Sequence, residues 1–106
     1  MPGRVENYTL LKTLGAGISG KVKLARDLSN NLVAVKIFFP NHVGDLDVEV
    51  AGLQNIRHAN IVNLIEWKHN ALRVHSDGRQ EYVSFCALEF VDGGELFDFV
   101  MQGEFS

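Results

Sequence analysis

The sequence contains a single cysteine, no apolar run long enough to cross a membrane and no block of like charge. A lone thiol, Cys86, cannot close an internal disulfide, and with Phe85 and Ala87 as neighbours it reads as a small buried hydrophobe in a reducing compartment. A helical span requires about 18 or more consecutive apolar residues, and no stretch of the sequence approaches that. The opening residues, Met1 to Glu6, lack the apolar centre of a secretory signal, so a cytoplasmic or nuclear location is expected. Thirteen acidic against ten basic residues, a formal charge of -3, leave no basic footprint, so neither nucleic acid nor a membrane surface is expected as a partner. Internal repeats and low-complexity segments are missing too. What is present is the balance of a folded domain: 46% hydrophobic and 22% charged residues in a chain of 106, enough for one core and too little for two.

Short apolar runs are separated by Gly, Asn and Asp clusters. Tyr8 to Leu14 reads as a strand, Gly15 to Gly20 interrupts it, and Lys21 to Leu24 then alternate with period 2, giving a second strand with one buried face. Ser29-Asn30-Asn31 is turn chemistry, after which Leu32 to Phe39 is almost wholly apolar, a third and well-buried strand that Pro40 ends. Asp45 offers a helix cap ahead of Leu46, Val50, Leu53 and Ile56, whose spacing places them on one face and predicts a helix over Asp45 to Arg57. Ile61 to Trp67 and Tyr82 to Val91 read as two more strands joined by a polar loop containing Ser76-Asp77-Gly78. Gly93-Gly94 breaks the last of them, and Glu95 to Met101 could begin a further helix. Three strands, a helix and two strands with short connections predict an α+β fold, a five-stranded and mostly antiparallel sheet with one packed helix.

Three glycines, Gly15, Gly17 and Gly20, have the GxGxxG spacing, which by itself often only relieves a tight turn. A dinucleotide fold needs such glycines to open a helix and an acid about 20 residues later. Here they lead into a strand, and Lys36 stands near that later position, so the dinucleotide reading fails. A Walker A loop fails as well, because Lys21 is followed by Val22 and not by Ser or Thr. A flexible hairpin remains, whose bare backbone can lie over phosphates.

Two charges stand where apolar residues belong. Lys36 sits inside the apolar run Val33 to Phe39, and an unpaired buried ammonium costs several kcal/mol. Glu49 falls at about 300° on a helical wheel begun at Leu46, within the apolar stripe. An ion pair between strand and helix resolves both anomalies and leaves the lysine able to donate to an anion as well. Taken singly, Lys36 can also snorkel out at a sheet edge and Glu49 can rest on the rim of its stripe. Period 2 puts Ala34 on the side of Lys36, where Ala34 and Val22 could sandwich a flat aromatic base or simply pack in the core.

Taken together, Gly15-x-Gly17-x-x-Gly20-x-Val22, Val33-Ala34-Val35-Lys36 and Glu49 nine residues ahead of His58 resemble the protein kinase family. Leu88 to Phe97 is similar to that family's gatekeeper and hinge, and most similar to its calcium/calmodulin-dependent and AMP-activated-like Ser/Thr group. The resemblance implies residues 1–7 as an N-terminal extension and 8–106 as a partial kinase domain: the N-terminal lobe, the hinge and the start of the following helix, with the C-terminal lobe absent. It implies ATP as ligand, held by Leu14, Gly15, Ala16, Gly17, Ile18, Ser19 and Gly20 over the phosphates, by Val22 and Ala34 against adenine and by backbone groups of Glu89 and Val91. Leu88 would gate the pocket, Glu95 would take a ribose hydroxyl or a basic substrate residue, and Lys36, paired with Glu49, would hold the α- and β-phosphates. Leu53 and Leu64 would continue the apolar column behind the pair. No catalytic residue or magnesium ligand is expected within the chain, because the family's His-Arg-Asp and Asp-Phe-Gly motifs do not occur before Ser106, so Mg2+ would bind only with the missing lobe. The interval of thirteen residues from Lys36 to Glu49 is shorter than the family usually shows. A protein substrate follows by resemblance, and association through the apolar lobe face is expected if that face stands uncovered. A pseudokinase-like binding module without catalysis is the alternative, with a Rossmann-type dinucleotide-binding protein as a remoter one.

Overall fold

Alternation along the third apolar run organises the whole molecule. The structure is a computed structural model and describes residues 2–55 and 63–90, with helix side chains described as far as Ala51. Six strands are present among these residues: β1 (Arg4–Val5), β2 (Tyr8–Ala16), β3 (Gly20–Arg26), β4 (Leu32–Phe38), β5 (Leu64–Val74) and β6 (Gln80–Glu89), with one helix, α1 (Asp45–Asn55), between β4 and β5. Every pairing is antiparallel, and the strands close into a barrel in the order β1-β2-β3-β4-β6-β5.

Successive side chains of a strand point to opposite faces, so β4 serves two cores at once. Val33, Val35 and Ile37 join Val5, Tyr8, Leu10, Ala25, Ala71, Val83, Phe85 and Ala87 in a cluster drawn from all six strands, which is the barrel interior. Ala34 and Phe38 face the other way and pack with Val22, Cys86 and Leu88 against Leu46 and Val50 of α1. Full burial of a Val, Leu or Phe side chain is worth about 1.5–3 kcal/mol, so docking α1 on two such residues holds it firmly. His69 adds a polar tie, with Nδ1 2.7 Å from Ser84 Oγ on β6 and Nε2 3.2 Å from Asp47 Oδ1 on the first turn of α1.

The five-strand expectation is corrected to six. The additional strand, Arg4–Val5, pairs with β2 on one side and β5 on the other and so closes the circle. Two residues are too few to show alternation, and nothing in the sequence pattern marks them. Glu6 fixes the closure from the turn that follows: at φ 48 it accepts from Lys68 Nζ at 2.5 Å and from the Leu72 N–H at 3.0 Å.

The final hairpin also differs from expectation. Most of the span expected as a polar connection is strand: β5 runs on to Val74 and β6 begins at Gln80, with a bulge between Lys68 and Ala71. The true turn is His75 to Arg79, closed by His75 N–H donating to the Arg79 carbonyl at 2.8 Å, with Gly78 at φ 91 where a side chain would be strained. Polar side chains on an exposed hairpin conceal its pairing from a pattern built on hydrophobicity. Helix α1 begins at Asp45 as expected. Its anticipated last residues, Ile56 and Arg57, and the strand start at Ile61 lie outside the described residues.

Candidate functional site

The glycine segment joins β2 to β3 as a tight hairpin, with Gly17 N–H donating to the Gly20 carbonyl at 2.9 Å. It is shorter than the sequence suggests, because Gly15 and Ala16 still pair with Val22 and Lys21. Ile18 stands 77% exposed at its tip. Gly20 is needed for a reason unrelated to any ligand: a Cβ there would lie 2.2 Å from the Ile37 carbonyl oxygen of β4.

Beneath this hairpin the two anomalous charges meet. Lys36 Nζ lies 2.5 Å from Glu49 Oε1, with the side chains 0% and 1% exposed. The first turn of α1 is formed despite the short interval, and a 3-10 turn over Pro40–His42 makes the connection compact. Ser19 is the third member. Its hydroxyl is buried and donates to Glu49 Oε1 at 3.3 Å, and its carbonyl accepts from Phe39 N–H at 2.9 Å, locking the hairpin to the end of β4. The Phe38 ring lies 4.9 Å from Lys36 Nζ, a cation–π contact. Sequence reasoning gave Ser19 a place over the ligand and missed its inward bond; a loop serine carries no signal of such a role.

Glu49 Oε2 is buried and has no hydrogen-bond partner among the described residues. Burial accordingly pushes the Glu49 carboxyl above the usual carboxylate range, against the opposing pull of Lys36 and Ser19. On β6, Cys86 pairs in register with Lys36 and is fully buried, and burial, with the nearby Glu49 charge, pushes its thiol up to about 12.

Val22, Ala34 and Leu88, each 0% exposed, come together in one cluster, with Leu14, Leu64 and Phe90 packed against it. Glu89 follows at the end of β6. Its N–H already donates to the Asn63 carbonyl at 2.8 Å and its carboxylate accepts from Asn63 Nδ2 at 2.7 Å, so any base contact through this backbone falls to its carbonyl. Val91 and Glu95 lie outside the described residues, as does the side chain of Leu53. A cavity of about 530 Å3 lined by Phe39, Pro40, His69 and Tyr82 among others includes none of the residues expected to hold ligand. Among the described residues no group of three or more His, Cys, Asp or Glu could hold a metal ion.

The family model described as protein kinase domain matches residues 8–106. The chain is 34% identical to CBL-interacting protein kinase 9 of Oryza sativa subsp. japonica over 93% of its length, and 35% identical to "Probable serine/threonine-protein kinase MARK-B" of Dictyostelium discoideum over 92%. It spans only 21% and 13% of those two proteins.

Proposed function

The chain belongs to the protein kinase domain family, and from that premise we propose that it is the ATP-binding lobe of a Ser/Thr protein kinase, an enzyme moving a phosphoryl group from ATP to protein Ser or Thr hydroxyls. One observation carries the reading: a buried ammonium, Lys36, held at 2.5 Å by Glu49 directly under a glycine hairpin. A carboxylate that fixes a lysine in a dry site positions its charge for an anion, and phosphoryl transfer depends mostly on such positioning and charge stabilisation.

Each residue then has a part. Backbone N–H groups of the hairpin from Leu14 through Gly20 cover the phosphates, with Ser19 acting inward to steady Glu49. Val22 and Ala34 form the apolar floor for adenine, Leu88 closes the space behind it, and the Glu89 carbonyl with the Val91 backbone supplies hydrogen bonds to the base edge. Glu95 serves ribose or a basic substrate side chain. Lys36 neutralises the α- and β-phosphates. Bound Mg2+ supplies further charge neutralisation at the phosphates, and its ligands, like the catalytic base, are sought outside the described residues. The names of the relatives and the form of the segment from Leu88 to Phe97 support Ser/Thr specificity.

The test is phosphorylation of Ser/Thr peptide mixtures by the protein carrying this chain, with and without Lys36→Met. Incorporation lost by at least about 100-fold in the variant is expected for removal of a group of this kind. Nucleotide binding without any transfer would instead favour a binding module, and activity equal in the variant would overturn the reading.

A further inference from the structure

Positive charges that are scattered in the sequence meet on a different face of the sheet. Lys12 of β2, Lys23 of β3 and Arg73 of β5 line a cavity of about 270 Å3 together with His75 and Ser76. No carboxylate lines it among the described residues. The cavity is separate from the nucleotide surface: Lys23 is the neighbour of Val22 on β3 and therefore points to the opposite face, and neither Lys36 nor the hairpin residues from Leu14 through Gly20 contribute to its walls.

Arg73 is the anomaly. Its Nε is buried and has no hydrogen-bond partner among the described residues, and the guanidinium enters none of the ion pairs found there. Glu81 is its register partner on β6, yet that carboxylate is taken by His75 Nε2 at 2.6 Å. A buried N–H donor left unmatched is costly, and proteins tolerate it mainly where something else supplies the acceptor. Lys23 feels the same imbalance. Its Nζ donates one proton to Thr13 Oγ1 at 2.6 Å, and partial burial followed by the charges of Arg73 and Lys21 lowers its pKa below the usual lysine value. An anion among Lys12, Lys23 and Arg73 would meet their charges and relieve the mutual repulsion.

The guanidinium fork matches the paired oxygens of phosphate, two ammonium groups supply point charges and the Ser76 hydroxyl a further donor. The volume is below the roughly 300–1,000 Å3 of sites for drug-sized molecules, which suits a small tetrahedral group. We propose that this cavity is an anion site for a phosphate-monoester group, free or carried on a phosphorylated side chain.

The experiment is 1H–15N NMR titration of the chain at constant ionic strength with inorganic phosphate and, separately, with a short phosphoserine peptide. The expected result is saturable movement of the Arg73 Nε–H resonance and of the Lys12, Lys23 and Ser76 amides. Tighter binding of the peptide would assign the group to a side chain, and equal binding would assign it to the free ion. Arg73→Gln should weaken binding about tenfold, equivalent to about 1.4 kcal/mol. Lys12→Ala, at an exposed position, should weaken it about threefold with the fold intact, so the test survives if the arginine variant does not fold. The proposal is overturned by the absence of saturation below roughly 50 mM, by shifts confined to the glycine hairpin and Lys36, or by affinity unchanged in Lys12→Ala.

Discussion

Replacing Lys36 with Met keeps most of the side chain's length while deleting its charge. Glu49 would then keep a carboxylate that is 1% exposed, with the Ser19 hydroxyl at 3.3 Å as its surviving donor among the described residues. Removing one partner of a buried pair costs about 3–5 kcal/mol, a large part of the about 5–15 kcal/mol that holds a domain folded. The loss is limited by the ability of Glu49 to take up a proton. Because burial raises this carboxyl in the folded state, its favourable contribution is complete below the model-peptide value of 4.5 and is lost as pH rises through the folded pKa. Without Lys36 the folded pKa climbs further, so the defect deepens with pH. Urea unfolding at pH 5 and pH 8, followed by the fluorescence of Trp67, should show a loss of about 3 kcal/mol or more at pH 8 and a smaller one at pH 5. Adding Glu49→Leu should recover most of it, since a buried pair exchanged for apolar side chains is often neutral or stabilising by about 1–4 kcal/mol. A loss under about 1 kcal/mol at pH 8, or a double variant no better than the single one, would refute the reasoning.

Gly20→Ala should cost about 3 kcal/mol because its Cβ meets backbone of β4, whereas Gly44→Ala, with open space around it, should stabilise by about 0.5 kcal/mol; chemical denaturation separates the two. Glu6→Gln should lower the unfolding midpoint by loosening the barrel seam. The hydrogen bond from Lys68, then that from the Leu72 N–H, lowers the Glu6 pKa, so the stability this carboxylate lends is present above pH 4.5 and disappears as pH falls through the folded value. Melting curves of parent and variant should therefore converge in acid, and a constant gap would be the contrary result. Cys86, buried with its thiol pushed up to about 12, should resist iodoacetamide in the native chain and react only as urea unfolds it; rapid native labelling would show that the barrel opens there.

The pair that defines the site was legible because each half breaks a pattern. An ammonium in Val33 to Phe39 and a carboxylate in the stripe of Leu46 and Val50 are both unfavourable unless they meet, and helical periodicity put Glu49 within the apolar stripe. Period 2 likewise put Ala34 on the side of Lys36 and suggested its meeting with Val22, whereas Leu88 was expected there only from the resemblance to the kinase family. Four things were hidden. β1 is too short for alternation to register, although it closes the barrel. The ends of the β5–β6 hairpin are polar on an exposed face, so hydrophobicity did not reveal them. The inward turn of Ser19 and the meeting of Lys12, Lys23 and Arg73 depend on tertiary register between strands distant in the chain, which no local pattern encodes; the net charge of -3 even argued against a basic site.

The central claim is that Lys36, braced by Glu49, grips phosphates beneath the glycine hairpin. The most direct measurement is a 1H–15N titration of this chain with magnesium-ATP, run in parallel on Lys36→Met. The account predicts saturable shifts at residues 15–20, Ala34 and Glu89 that vanish in the variant. Shifts at the hairpin that persist unchanged in Lys36→Met, or shifts found only around Lys12 and Arg73, would contradict it.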